Sequence, residues 1–118
     1  MKDKPSRSLN HHVLEELYRG TGQSRAFMIE VAKLFRDEAE AFILGVDALT
    51  QPEQSAALHS LAGAARTVGM EEVARLALDG EQAVKDQLSP APFIASVRAA
   101  LPSLIECLDG WTAALPNE

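Results

Sequence analysis

The sequence has a single cysteine, Cys107, and only one tryptophan, one tyrosine and four phenylalanines in 118 residues. One thiol cannot form an internal disulfide framework, so the chain reads as a protein of a reduced, cytoplasmic compartment. Positive charge is scarce as well: 11 Lys and Arg stand against 17 Asp and Glu, a net charge of −6. Nucleic acid is therefore not an expected partner, because phosphate binding needs a basic face. No uninterrupted apolar run reaches the ~18 residues of a bilayer span, so no membrane segment is expected. The start, Met1-Lys2-Asp3-Lys4-Pro5-Ser6-Arg7, leads into no signal-peptide apolar core. Strict apolar–polar alternation, the mark of a half-buried strand, is also missing. What is left is a small acidic chain whose length suits one domain.

Apolar residues recur at helical spacing almost throughout. Residues 9–19 predict a short helix, broken by Gly20-Thr21-Gly22. A long helix from Ser24 to Leu49 follows, with Phe27, Val31, Leu34, Phe35, Phe42, Val46 and Leu49 expected inward. Thr50 and Glu53 have capping-box spacing, and Pro52 fits a first turn. The helix they open is predicted to run to about Val68, where Gly69 is a candidate left-handed cap. Another helix spans Glu71 to Gln87, with Val73, Leu76, Ala77, Ala83 and Val84 inward. The last runs from Ala91 to Ala114 on a stripe of Phe93, Val97, Leu101, Leu104, Leu108 and Trp111, and Pro102 should bend it. Cys107 is expected as a buried, inert thiol beside that stripe. Short connections force antiparallel neighbours. The expected fold is all-α: an up-down antiparallel four-helix bundle over residues 9–115, with a short extra N-terminal helix and a flexible N-terminus over residues 1–8. A bundle this short can bury its stripes as a monomer.

One histidine stands on the wrong side of its helix for packing. With His59 at zero and about 100° per residue, Leu58, Leu61, Ala65 and Val68 fall between roughly 180° and 260° and define the buried face. His59 points away from it. Ser55, Ala56, Ala62, Gly63 and Arg66 lie within about 60° of the ring, so small side chains surround it. Gly63 costs a helix interior about 1 kcal/mol relative to alanine, and close approach of a partner to His59 is one reason to keep it. His11 and His12 are adjacent and share no helix face, and no Cys or His recurs at ligand spacing, so no metal site is expected.

The stretch His59-Ser60-Leu61-Ala62-Gly63-Ala64-Ala65, followed by Val68-Gly69, resembles the His-x-Leu-Lys-Gly motif of histidine-containing phosphotransfer (HPt) domains. Helix order and length are similar from residue 10 to residue 114. The resemblance implies a stoichiometric phosphocarrier, not an enzyme, with His59 as phosphoacceptor. A phosphoryl group would pass between receiver-domain aspartates of response regulators or of a hybrid sensor kinase. The partner receiver would supply the acidic pocket and Mg²⁺, and the chain itself would need no cofactor. Ser55, Ala56, Ala62, Gly63 and Arg66 would form the receiver-docking patch. Neutral imidazole, with an unperturbed pKa near ~6.5, is a competent nucleophile near neutral pH.

The chain departs from the motif at Ala62, where the family usually has lysine. Arg66, two turns beyond His59, is a candidate substitute cation. Glu81 and Lys85 match, by sequence offset, polar and basic positions near the family histidine, and join Arg66 as phosphoryl-stabilising candidates. Gly80 replaces a common leucine and is expected to loosen its helix. Two alternatives stand beside the relay reading: a pseudo-HPt module that docks without phosphotransfer, and a helical adaptor with no two-component partner. A kinase is excluded, because no nucleotide-binding motif is present. Both ends look clean, which favours a free protein, with the excised tail of a larger sensor kinase as the open alternative.

Overall fold

The computed structural model describes residues 9–117, so the expected flexible stretch over 1–8 lies outside it. All regular structure among the described residues is helical, and local chemistry sets the boundaries. Helix α1 (His11–Gly20) begins where the Asn10 side chain accepts from the His12 N–H. Helix α2 (Arg25–Gly45) begins at Ser24, whose hydroxyl oxygen accepts from the Phe27 N–H, and it runs into a single 3-10 turn, Val46–Ala48. Helix α3 (Gln51–Thr67) opens on the expected capping box: Thr50 Oγ1 accepts from the Glu53 N–H, and the Glu53 carboxylate accepts from the Thr50 N–H.

The chain turns from α3 into α4 (Glu71–Lys85) at Gly69, whose φ is +76°. The Asn10 N–H donates to the Gly69 carbonyl at 2.8 Å, and a Cβ on Gly69 would stand 2.6 Å from the Asn10 carbonyl oxygen. Glycine is needed there twice, for the left-handed turn and for the approach of the N-terminal segment. Helix α5 (Ala91–Ala113) continues through Pro102. The four long helices close a ring of contacts, α2 on α3, α3 on α4, α4 on α5 and α5 on α2, and α3–α4 is the tightest pairing. Leu58, Leu61, Val73, Val97, Leu101, Leu104 and Leu108 fill the middle of this bundle, fully buried.

Several inward assignments are corrected. The buried residues of α2 and its 3-10 turn are Met28, Ala32, Phe35, Ala39, Phe42 and Val46, in alternating steps of four and three, whereas Phe27, Leu49 and especially Leu34 are exposed. The small Ala32 and Ala39 sit where neighbouring helices come close, and a stripe drawn through the bulkiest side chains misses them. Cys107 is exposed rather than buried. It turns about 100° off the stripe that carries Leu108, so its chain neighbour packs and it does not. Gly80 does not loosen α4: it is buried, and a Cβ there would lie 3.0 Å from Leu58 Cδ1 and 3.1 Å from Phe93 Cβ.

Helix α5 is long and apolar enough to match a membrane span by length and composition, a property that the search for uninterrupted runs does not detect. In this fold its Ile94, Val97, Leu101, Leu104 and Leu108 are core residues. Its Arg98 donates to the Ile43 carbonyl at 2.8 Å and pairs with Asp47 at 2.9 Å. A bundle's core helix passes the same test as a span.

Candidate functional site

His59 projects from the middle of α3 with its side chain 71% exposed. Its Nδ1 lies 3.1 Å from Oε1 of Glu81, a residue of α4 that is only 15% exposed. In the tautomer that donates Nδ1–H to Glu81, the Nε2 lone pair is free. The other oxygen of Glu81 is 3.7 Å from the Lys85 ammonium, one turn along α4. The fold therefore brings three of the sequence candidates, His59, Glu81 and Lys85, into one cluster. The position of Glu81 allows it to hold the imidazole.

Ala62 is not part of an exposed patch: it is 1% exposed. On one side of it Leu58 lies against Gly80, and on the other His59 reaches Glu81, so this flank of α3 is closed by α4. The methyl group is small enough for the two helices to meet there. A wheel drawn for one helix shows Ala62 near His59 but cannot show the neighbour that covers it. Ser55 is half-buried and the exposed Arg66 stands beside α4, while Ala56 and Gly63 are exposed, so the surface around the ring is open on the side away from α4. There Ser60 donates its hydroxyl to Glu38 of α2 at 2.8 Å, a contact that no single-helix pattern reveals. Beyond it a hollow of about 300 Å³ opens between α2 and α3, lined mainly by Ala41, Phe42, Val46, Leu49, Ala57 and Leu61.

Arg66 is not in the His59 cluster. Seven residues of helical rise separate them by about 10 Å along the axis. It lines a separate cleft of about 360 Å³ with Glu71, Ala74, Arg75 and Leu78. Arg75 is held there by Glu72 at 3.0 Å and Asp79 at 3.2 Å, and its hydrogen bond to Glu72 is the main reason its guanidinium is held above its ordinary value. Among the described residues no three His, Cys, Asp or Glu side chains come together as a metal site would need.

These features define a helical bundle that presents a carboxylate-held histidine on an open helix face. The chain belongs to the Hpt domain family, which it matches over residues 27–111, from the start of α2 to near the end of α5. Comparison with curated proteins and with solved structures gives no match. Hpt domains serve histidine phosphotransfer in two-component signalling. They are phosphocarrier modules rather than enzymes, and they interact with receiver domains and kinases in phosphorelays.

Proposed function

We propose that this chain carries a phosphoryl group on His59 between receiver-domain aspartates in a multistep phosphorelay. The observation that carries the reading is the exposed imidazole whose Nδ1, and not its Nε2, is engaged by Glu81. In the first step the Nε2 lone pair attacks the phosphorus of a receiver's aspartyl phosphate. The N–P bond forms as the P–O bond to the aspartate breaks, and the aspartate leaves as a carboxylate. In the second step a carboxylate oxygen of the next receiver attacks the same phosphorus, and neutral imidazole is regenerated. Throughout, the Nδ1 proton stays hydrogen-bonded to Glu81, which keeps the ring in place.

Phosphoryl transfer is mostly a matter of position and charge. Glu81 supplies the position, and Lys85, tethered one turn away, supplies the cation that the family motif places at the position of Ala62. Mg²⁺ belongs to the receiver's acidic pocket and adds its neutralising charge there. The ring of helix contacts supports the up-down four-helix arrangement over residues 9–115, and the family's role supports a cytoplasmic phosphoprotein.

The test is to mix the protein with phosphorylated receiver domains and follow acid-labile phosphate on it, with His59→Gln alongside. Label on the wild type and none on the variant, at unchanged helicity, is the expected outcome. Receiver binding without any label would overturn the relay reading. It would leave the pseudo-HPt module, the alternative that alanine in place of the family lysine at position 62 keeps open.

A further inference from the structure

The seam between α2 and α5 lies across the ring of helices from the α3–α4 seam that holds His59 and Glu81. Two ion pairs bridge it. Arg36 meets Asp109 at 2.6 Å and Arg98 meets Asp47 at 2.9 Å, so the two helices run antiparallel. On each side of the seam the pairs stand eleven residues apart, from Arg36 to Asp47 and from Arg98 to Asp109, or about 16 Å of helical rise. Between them opens a hollow of about 390 Å³ lined by Ile43, Leu44, Pro102 and Ile105, with Arg36 and Glu40 as its charged groups.

Leu44 is the anomaly on this face. It is 78% exposed, more than any other large apolar side chain among the described residues. Nine residues from Phe35, it points about 180° from that buried ring, so no helix of this bundle covers it. Charge on the seam is one-sided as well. Both bridging cations are committed to carboxylates of their own chain, and Arg98 also donates to the Ile43 carbonyl. Glu40 and Glu106 are exposed, lie in the two stretches between the ion pairs, and make no hydrogen bond or ion pair among the described residues. Pro102 has no N–H, so the Arg98 carbonyl one turn earlier lacks its helical donor. The seam therefore presents an apolar centre, acceptors without a cation, and a polar rim, which is the layout of a protein interface.

We propose that this seam docks an amphipathic helical segment of a partner protein, with apolar side chains on Leu44, Pro102 and Ile105 and Lys or Arg side chains on Glu40 and Glu106. A helix of about three turns fits between the ion pairs, with its anchors at i, i+3, i+4 and i+7 along one stripe. A second copy of this chain is a poor occupant, because a two-fold contact would bring the same unpaired carboxylates to both sides. The docked segment leaves His59 uncovered on the opposite seam, so this surface is independent of phosphotransfer.

The probe is a synthetic peptide of leucine and lysine with leucines at i, i+3, i+4 and i+7, beside a scrambled peptide of equal composition. Binding to the full chain is measured by calorimetry at low and high salt, and amide NMR shifts map the contact. The wild type is expected to bind the striped peptide roughly tenfold more tightly than the scrambled one, with shifts at residues 40–44 and 103–106. Leu44→Ser, at an exposed position, should lose roughly that tenfold at unchanged helicity. Glu40→Gln combined with Glu106→Gln should weaken binding at low salt and flatten its salt dependence. Absence of binding, equal affinity for the two peptides, shifts centred on α3, or an unaffected Leu44→Ser would each overturn the inference. A concentration-dependent dimer of the wild type, absent in Leu44→Ser, would overturn it too and assign the face to a second copy.

Discussion

At the scale of single residues, the site depends on which atom of His59 is free. In the proposed mechanism Glu81 holds the ring through Nδ1, and orientation rather than charge is the property its replacement would expose. Glu81→Ala is expected to slow phosphorylation of His59 roughly tenfold, because a misaligned nucleophile loses much of the benefit of positioning. Glu81→Gln keeps most of the rate, since an amide oxygen also accepts from Nδ1–H. Nitrogen-resolved NMR of the imidazole checks the cause: one tautomer in the wild type and in Glu81→Gln, a mixture in Glu81→Ala. Equal rates for all three would remove Glu81 from the mechanism. Ala62 makes the complementary point. Its side chain is closed off by α4, and the cation proposed to act in place of the family lysine is held by Glu81 on that neighbouring helix.

At the scale of helices, two glycines with the same local cost have opposite reasons to be there. A Cβ at Gly63 would meet nothing within 4 Å among the described residues, so none of them requires glycine there. Gly63→Ala is expected to raise stability by about 1 kcal/mol, the helix-propensity difference, while placing a methyl group on the face that carries His59. Gly80 is the reverse case, wedged against Leu58 and Phe93 at 3.0 and 3.1 Å. Overpacking there costs about 1–3 kcal/mol and the propensity gain returns about 1, so Gly80→Ala should be neutral to destabilising by about 2 kcal/mol. Urea unfolding of both variants separates the two predictions, and a stabilised Gly80→Ala would show that α4 and α5 can move apart at little cost. Helix boundaries show how local such chemistry is. The Thr50–Glu53 box and the left-handed Gly69 operate within a few residues of chain, and both stand where sequence reasoning expects them.

At the scale of the whole molecule, stability comes from the interior rather than from surface charge. Leu104 is fully buried, and Leu104→Ala should cost about 2–5 kcal/mol, a large part of the ~5–15 kcal/mol that holds a domain of this size. Breaking an exposed pair such as Arg36–Asp109, at 2.6 Å, should cost about 1 kcal/mol or less, because solvent screens both partners. Thermal unfolding checks the contrast: a Tm fall for Leu104→Ala no larger than that for Arg36→Ala would contradict a core centred on α5. The apolar character of that helix belongs to this scale too. Composition makes α5 resemble a membrane span, but packing against α2 and α4 places Val97, Leu101, Leu104 and Leu108 inside a protein core.

The sequence by itself determined everything carried by short-range chemistry: the all-helical character, the caps, the turn at Gly69, and the exposure of His59 opposite Leu58, Leu61 and Ala65. Those features depend on residues within one or two turns of each other, so periodicity and spacing reveal them. The tertiary structure alone decided which flank of α3 is closed at Ala62, which glycine is a packing contact, and why Leu34 and Cys107 face outward. It also decided that Glu81 meets both His59 and Lys85 while Arg66 stands apart. Each of these depends on the rotation and distance of one helix against another, which follow from side chains interlocking across the bundle and leave no periodic trace in any single segment.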